Sequence, residues 1–432
     1  IVQSSAQDYF QKVFPGFILS DYRVDNNQVL HLYLSASALP VCPKCLRPCP
    51  KIHARLQRCV KDSPRDGFSI VKVHFQARRV RCQCGCRGME KISWISFREQ
   101  ITNRLAAMIQ FAMRQGAPIA HVAKQFDVDW GCVKRLDKIQ LKHIFTSINV
   151  DKVRHLIIDE FAVRKGHKYA TVVMDADTHR VIWVGPGKSQ QAMQPFIKWF
   201  RRKGLLGKIQ SVSMDMNGQF SSLVKQYFPA AKILYDLFHV IQLFGREVLK
   251  KAKARIVGQG EEKTWLKSCY WLLLKPENSL MESESNALAT MRRHNRLLAD
   301  LYPIVDLLRN LWREKNVSKA CELLRRIVKI CKAIAREHQF EEVKKFGTQL
   351  EKRMDGIVYV GHYGYGSCPI EGANNKIKVL KRVAYGFRDF WYFRLRIMAA
   401  LPGKRNSPMP SFMCSACYTN EGLCLCSFHK KT

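Results

Sequence analysis

The chain has 432 residues, a length that ordinarily folds as roughly two to four domains. With 47% hydrophobic and 25% charged residues, the composition excludes long disorder, collagen and coiled coil. No run approaches the ~18 uncharged apolar residues a membrane helix needs, so no membrane is expected as a partner. Lys and Arg number 72 against 35 Asp and Glu, a formal net charge of +37. The excess is spread evenly, 23 against 10 in residues 1–150 and 49 against 25 in the rest. Charge of one sign along the whole chain implies a polyanionic partner, nucleic acid first, because each neutralised phosphate releases a counterion. The alternative is a merely basic soluble protein.

Residues Ile1 to Phe17 carry an acid, Asp8, and glutamines and no basic-then-apolar signal pattern; the first residue is not Met, which suggests a trimmed start. The sixteen cysteines fall in paired spacings, which outside a secreted chain read as metal binding rather than disulfides.

Residues 1–40 predict a helix over Asp8–Phe14 and a hairpin over Tyr22–Leu34, turning at Asn26-Asn27. Residues 41–100 hold the first cysteine cluster. Cys42 and Cys45 form a C-x2-C knuckle, and Cys82, Cys84 and Cys86 follow in RCQCGC, with a strand predicted over Phe68–Val80 between them. Two thiolate pairs on facing hairpins can close a tetrahedral Zn²⁺ site and hold together a domain with a thin core. Cys42, Cys45, Cys82 and Cys86 are the expected ligands, with Cys84 as the alternative to Cys86. Cys86 is favoured because a knuckle needs two intervening residues to turn both sulfurs inward. Cys49 and Cys59 remain unassigned. The basic strand end, Arg78, Arg79 and Arg81, tilts this zinc ribbon toward DNA contact.

Residues 101–150 read as helical, with Leu105, Met108, Ile109 and Ala112 at helical spacing. PIAHVAKQFDVDWGCVKRLDKIQ then has helix-turn-helix rhythm. Ala123 lets two helices cross, Asp127 takes the left-handed turn position, Asp129 caps the second helix, and Val133 anchors it. Lys134, Arg135 and Lys138 would face phosphates or the major groove. An ordinary helical hairpin is the bland alternative.

Residues 151–240 alternate strands and helices, the pattern of one mixed α/β sheet. Five strands are predicted, over Val153–Asp159, Lys168–Asp175, Arg180–Gly185, Ile209–Asp215 and Lys232–Tyr235. Helices are predicted between the third and fourth and between the fourth and fifth. Residues 241–360 read as helices over Glu261–Leu274, Glu284–Leu301, Ser318–His338 and Phe340–Arg353, punctuated by Pro276 and Pro303. Residues 361–401 hold a helix starting near Pro369. The tail, 402–432, carries Cys414, Cys417, Cys424 and Cys426. It reads as a small zinc knuckle or as a flexible or frame-altered end.

Three acids stand out by position. Asp159 and Asp215 close apolar strands, and Glu371 opens a helix, where negative charge suits the helix dipole. Carboxylates at strand ends are placed to hold hard cations, and three together can bind two divalent metals about 4 Å apart for in-line phosphodiester chemistry. Glu371 and Lys378 share a helix face, with Asn374 and Asn375 between them, so Lys378, Lys381 and Arg382 can hold phosphates beside the metals. Aromatics interleave with arginines in AYGFRDFWYFRLRI, where packing is preferred to base stacking. Asp236 and His239, in YDLFHV, lie near the same sheet edge and would orient a ligand acid or a phosphate.

These motifs resemble bacterial insertion-sequence transposases of the ISL-three family. They occur in family order as IIDEFAVRKGHKYATVVMDADTHRVIWVGPG, VSMDMNGQF, KILYDLFHV and IEGANNKIKVLKRVAYGF. The resemblance covers roughly 40–400. It implies a DDE catalytic core of RNase H-like fold with the triad at Asp159, Asp215 and Glu371, a helical insertion over 241–360, and Asp236 and His239 in the family's D-x-F-H element. The implied fold class is α/β, an RNase H-like core with a mostly helical insertion, preceded by a zinc ribbon and a helix-turn-helix. The implied cofactors are Mg²⁺ (or Mn²⁺) and structural Zn²⁺. The implied partners are double-stranded DNA, as terminal inverted repeats and target, and at least a second copy of the chain on DNA. A bacterial cytoplasmic, nucleoid-associated location follows. The compressed RCQCGC and the Cys-rich tail depart from the family. Two rivals predict different behaviour. A DNA-binding regulator with a dead nuclease-like domain would bind without cutting, and a structure-specific nuclease would cut without joining. Serine and tyrosine recombinases are disfavoured, because no arginine-supported nucleophile is evident.

Overall fold

The computed structural model describes residues 9–65, 67–96, 100–146, 148–164, 166, 168–216, 218–258, 270–275, 277–366 and 368–404. The tail cysteines, and residues 261–269 of the helix predicted over Glu261–Leu274, lie outside these. The chain divides into two compact units, one built mainly from residues 1–146 and the other mainly from 147–382 and 386–404.

In the first unit, β1 (Phe17–Val24), β2 (Leu30–Ala36), β3 (Ile52–Asp62), β4 (Val71–Arg81) and β5 (Arg87–Met89) form one sheet. Its order is β1-β2-β4-β3, with β5 on β4. The β2–β4 pair is parallel and the others are antiparallel. The hairpin predicted over Tyr22–Leu34 is therefore part of one sheet with strands of residues 52–89. Alternation explains it: Leu32 and Leu34 point to one face and are buried with Val71, Val73, Phe75 and Trp94. Strand β3 had no counterpart in the sequence reading, because IHARLQRCVKD is polar and only its end is buried.

Three helices follow, Asn103–Arg114, Ile119–Gln125 and Trp130–Thr146. Leu105, Ile109, Met113, Val122, Val133 and Leu136 make their core. Asp127 adopts φ +48°, and Asp129 Oδ2 accepts from the Cys132 N–H at 3.1 Å. Met108, predicted on the buried stripe, is exposed, and Met113 packs in its stead.

The second unit is organised by β6 (His155–Arg164), β7 (Lys168–Asp175), β8 (Val181–Pro186), β9 (Ser211–Met214) and β10 (Lys232–Tyr235) in the order β10-β9-β6-β7-β8. Strands β6, β7 and β8 form an antiparallel meander. Strands β9 and β10 add parallel to β6. Parallel strands need crossovers, and the helices Gln190–Arg202 and Gly218–Tyr227 supply them. All four residues of β9 and Leu156–Ile158 of β6 are buried, so both faces of the sheet are covered there. The helices Glu282–His294, Arg296–Arg313, Val317–Glu337 and Glu341–Lys352 share one core with the sheet.

Pro303 does not end a helix, contrary to the reading from sequence. It lies inside Arg296–Arg313, whose neighbours Leu301, Tyr302, Ile304 and Val305 are all buried. That packing outweighs the lost backbone bond. The break falls at Asn295, whose Oδ1 accepts from the Leu298 N–H at 3.0 Å. No helix among the described residues is long and apolar enough to cross a membrane.

Candidate functional site

The acids gather at the carboxyl ends of the parallel strands. Strand β6 pairs with β9 only over His155–Ile157 and with β7 as far as Arg164. Asp159 is therefore within β6, two residues past the last β9 pairing, rather than at the strand's end as the sequence suggested. Ile157 is opposite Ser213, and continuing that register sets Asp159 level with Asp215, the residue after β9. Tyr235 is opposite Met214, so Asp236 follows on the third strand. In open α/β sheets this carboxyl edge is where ligands bind.

Asp159 is held on both oxygens. Oδ1 accepts from the Glu160 N–H at 2.8 Å and Oδ2 from the Asn374 amide at 2.7 Å. Burial raises its pKa; the His239 charge and these hydrogen bonds act against that, and the Asp215 charge adds to it. Asp215 is more open, its side chain 48% exposed. His239 stands between two acids, Nδ1 at 3.7 Å from Asp215 Oδ1 and Nε2 at 3.7 Å from Asp236 Oδ2. Asp236 is buried and caps the helix Leu237–Phe244, its Oδ1 accepting from the Phe238 N–H at 3.2 Å.

The end of β10 is itself fixed. The Trp312 indole donates to the Tyr235 carbonyl at 3.0 Å. Gly356 presses on the Tyr235 ring so closely that a Cβ there would come within 2.3 Å of it.

Glu371 is exposed in the first turn of the helix Cys368–Val383. That helix buries Ile370, Ala373 and Ile377. Asn374 places it against β6, and Lys381 Nζ donates to the Ala162 carbonyl at 3.1 Å. Among the described residues, Asp159, Asp215 and Glu371 are not a group with all ligand atoms within 4.8 Å. Two other sets are: Cys42, Cys45, Cys82 and Cys84, and Asp300, Glu337 and His338. In the second set, His338 is paired with Asp300 at 2.7 Å and Glu337 with Arg296 at 2.6 Å.

The cysteine set comes from two tight turns. In the first, Leu46 takes φ +58° and its N–H bonds back to the Cys42 carbonyl. In the second, Gly85 at φ +82° lets the Cys82 N–H reach the Cys86 carbonyl at 2.9 Å. Cys86 thus immediately precedes β5 and packs beside Cys42, Cys49 and Val80. Cys84, at the turn's tip, has its sulfur 3.7 Å from Cys42, and Cys82 has its sulfur 3.6 Å from Cys45. The sulfur that joins the group is that of Cys84, not the favoured Cys86. The Cys45 N–H holds the Cys42 thiol down at about 6, and a thiolate among thiols is the donor set a soft divalent cation takes.

A family model described as a transposase of the ISL-three type matches residues 156–397. The chain is 32% identical over 393 residues to the transposase for insertion sequence element IS1001 of Bordetella parapertussis, covering 88% of this chain and 93% of that one. The chain belongs to the ISL-three family of transposases. It is also 25% identical over 294 residues to the transposase for insertion sequence element IS1557 of Mycobacterium tuberculosis, covering 60% of this chain and 64% of that one. Among solved structures, the Drosophila P element transposase strand transfer complex aligns with a TM-score of 0.36 and 12% identity, over 71% of this chain and 92% of that one.

The basic residues of this DNA transposase divide sharply. Arg78, expected at DNA, is buried against Glu90, with guanidinium–carboxylate distances of 2.6 and 3.0 Å and a further bond to the Ala38 carbonyl at 2.7 Å. Its side chain is 9% exposed. The inward-facing strand position consumes its charge, so it is removed from the DNA contacts. Arg79, next on the strand, is exposed.

Arg135 is exposed, and Lys134 and Lys138 are half-buried, on the helix Trp130–Thr146; together with Gly131, Ile139 and Lys142 they line one shallow concavity. Lys134 lies over the exposed Trp130 ring, 5.3 Å from its centroid. Trp130 and Lys142 extend that face at four-residue spacing, a signal present in the sequence and missed there. Lys378 and Arg382 are exposed on the glutamate helix, with Lys378 Nζ at 3.3 Å from Asn375 Oδ1. In the aromatic segment Tyr392 and Phe393 are buried, whereas Tyr385 and Trp391 are exposed.

Proposed function

We propose that this transposase binds the terminal inverted repeats of its insertion sequence, cleaves a strand at each element end, and joins the freed 3′-hydroxyl to target DNA. The observation that carries the reading is the level placement of Asp159 and Asp215 on neighbouring parallel strands, with the helix of Glu371 bonded to Asp159 through Asn374. The strand order, a three-strand meander extended by two parallel strands, supports an RNase H-like core. The three helices of the first unit, with Asp127 left-handed at the turn, support a helix-turn-helix.

Asp159, Asp215 and Glu371 would hold divalent cations, Mg²⁺ or Mn²⁺, which when bound supply a lowered water pKa and stabilise a leaving oxygen. The residues' own work is positional. Asn374 and the Glu160 amide orient Asp159, and His239 bridges Asp215 and Asp236. In cleavage, the water oxygen stays on the 5′-phosphate and the 3′-oxygen leaves as a hydroxyl. In joining, that hydroxyl attacks a target phosphate and a target 3′-oxygen leaves, so bonds broken equal bonds made. Cys42, Cys45, Cys82 and Cys84 would hold a structural Zn²⁺. Arg79, Lys134, Arg135, Lys138, Lys378, Lys381 and Arg382 would contact DNA. Pairing of two element ends requires at least a dimer on DNA, at the nucleoid.

The deciding experiment is strand cleavage and transfer by purified protein with Mg²⁺, on DNA carrying its own flanking repeat, beside Asp159→Ala. Joined products that vanish in the variant support the reading. Binding without cleavage, even with Mn²⁺, replaces it with a DNA-binding regulator. Cleavage without joining replaces it with a nuclease.

A further inference from the structure

Asn374 is where the glutamate-bearing helix reaches the catalytic strand. Its Nδ2 donates to Asp159 Oδ2 at 2.7 Å, while its own Oδ1 is buried without a hydrogen-bond partner. Buried amide oxygens are rarely left unpaired, so stability alone is a poor reason for this residue. The ionised carboxylate is acceptor-only, which dictates that the amide turn its NH₂ toward Asp159. Along the helix, Ile370, Ala373 and Ile377 are the buried stripe. Asn374 lies at its edge, one turn after Glu371 and one turn before Lys378. Among the described residues, the bond to Asp159 and that of Lys381 to the Ala162 carbonyl tie this helix to β6. A slip of one turn, about 5.4 Å, would break both and carry Glu371 away from the strand ends. The neighbouring Asn375 is exposed and meets only Lys378 of the same helix among its described side-chain bonds.

We infer that Asn374 is a positioning residue for a divalent-cation site: its amide fixes the Asp159 carboxylate and the axial register of the helix that carries Glu371. This rests on the reading of Asp159, Asp215 and Glu371 as metal ligands. Groups that orient a ligand in this way are typically worth about 10- to 100-fold in metal affinity.

The test is Mn²⁺ binding to the full-length protein without DNA, read from the electron paramagnetic resonance of the free ion. Asn374→Ala is expected to bind about 10- to 100-fold more weakly than wild type, and Asn375→Ala to bind as wild type does. Asn374→Leu keeps the side chain's size and removes the donor without adding a cation ligand, so it should weaken binding as well. It also carries the test should the alanine variant not fold. Wild-type affinity in Asn374→Ala, or in a folded Asn374→Leu, would overturn the inference. Asp159→Ala separates the two levels. If it loses Mn²⁺ while Asn374→Ala keeps it, only the role of Asn374 falls. If it binds as wild type does, or if wild type shows no binding, the metal reading falls and the inference with it.

Discussion

The cysteine set and the acids proposed for catalysis in this transposase are assembled by opposite means. The four cysteines come from two turns of a single sheet, and each turn is closed by its own backbone hydrogen bonds. The acids and their partners come from Asp159, Asp215, Asp236, His239 and Asn374, spread over 215 residues and brought together by parallel strand register and helix packing. A turn-built site is set by local φ/ψ and stands or falls with its glycine and cysteines. A register-built site is set by the whole sheet, so removing one acid should remove chemistry without removing structure.

The largest expected effect is on Asp215→Asn. Asp215 is half-exposed and follows β9, so the sheet does not depend on its charge. Cleavage should fall below detection while the melting temperature and repeat binding stay near wild type. Parallel cleavage and mobility-shift assays check this. Lost binding would mean that the acids and the DNA contacts are not separable.

For the cysteine turns the contrast predicts the reverse, loss of structure. Cys84→Ser should lose bound zinc and loosen the first unit's fold, because metal binding to such a site is folding free energy. Cys86→Ser, which changes a group packed beside the cluster, should keep its zinc. Metal content by mass spectrometry, with hydrogen exchange of β4 and β5, distinguishes them. Zinc lost from Cys86→Ser and kept in Cys84→Ser would restore the ligand set favoured from sequence.

The same contrast explains what could be read in advance. All five strands of the second sheet and their order in sequence were legible, because apolar runs bounded by turn residues are a local signal. Asp215, Asp236 and His239 were legible at strand ends for the same reason. The register that sets Asp159 level with Asp215 was not, since pairing is a property of two distant segments. Nor was the grouping of the Cys84 sulfur, rather than that of Cys86, with those of Cys42, Cys45 and Cys82, in a turn where Gly85 adopts a positive φ. The fate of Arg78 was hidden too. One residue along a strand reverses the face, and only the position of Glu90 on the far side of the β5 turn decides which arginine is consumed.

That reversal gives the third prediction. Arg78→Ala strips the buried Glu90 carboxylate of its guanidinium and leaves it only the backbone N–H of residue 78, a change that costs about 3 kcal/mol. It should lower the melting temperature and leave the salt dependence of DNA binding unchanged in the protein that remains folded. Arg79→Ala should do the opposite, leaving stability alone and reducing the slope of log affinity against log salt by about one. A shallower slope in Arg78→Ala would return it to the DNA contacts.

The smallest effect concerns protons, and it sets the two sheets side by side. Each carries a histidine whose pKa is lowered chiefly by burial. In the first it is His74, further depressed by His31, whose Nδ1 lies 2.8 Å from its Nε2. In the second it is His155, whose Nδ1 lies 2.9 Å from Ser211 Oγ and whose depression Asp177 and Asp175 oppose. A folded pKa below the unfolded value of 6.5 means that folding favours the neutral ring. That contribution is complete above 6.5 and is lost as pH falls through and below it. Acidification should therefore destabilise both sheets, and the first more, since two imidazoles in contact cannot both take a proton without repulsion while carboxylates beside His155 soften its charging. His74→Gln should remove more of the acid-induced fall in melting temperature than His155→Gln does. Equal slopes in the two variants would show that the imidazole pair is no worse placed to take a proton than a single ring between a serine and two acids.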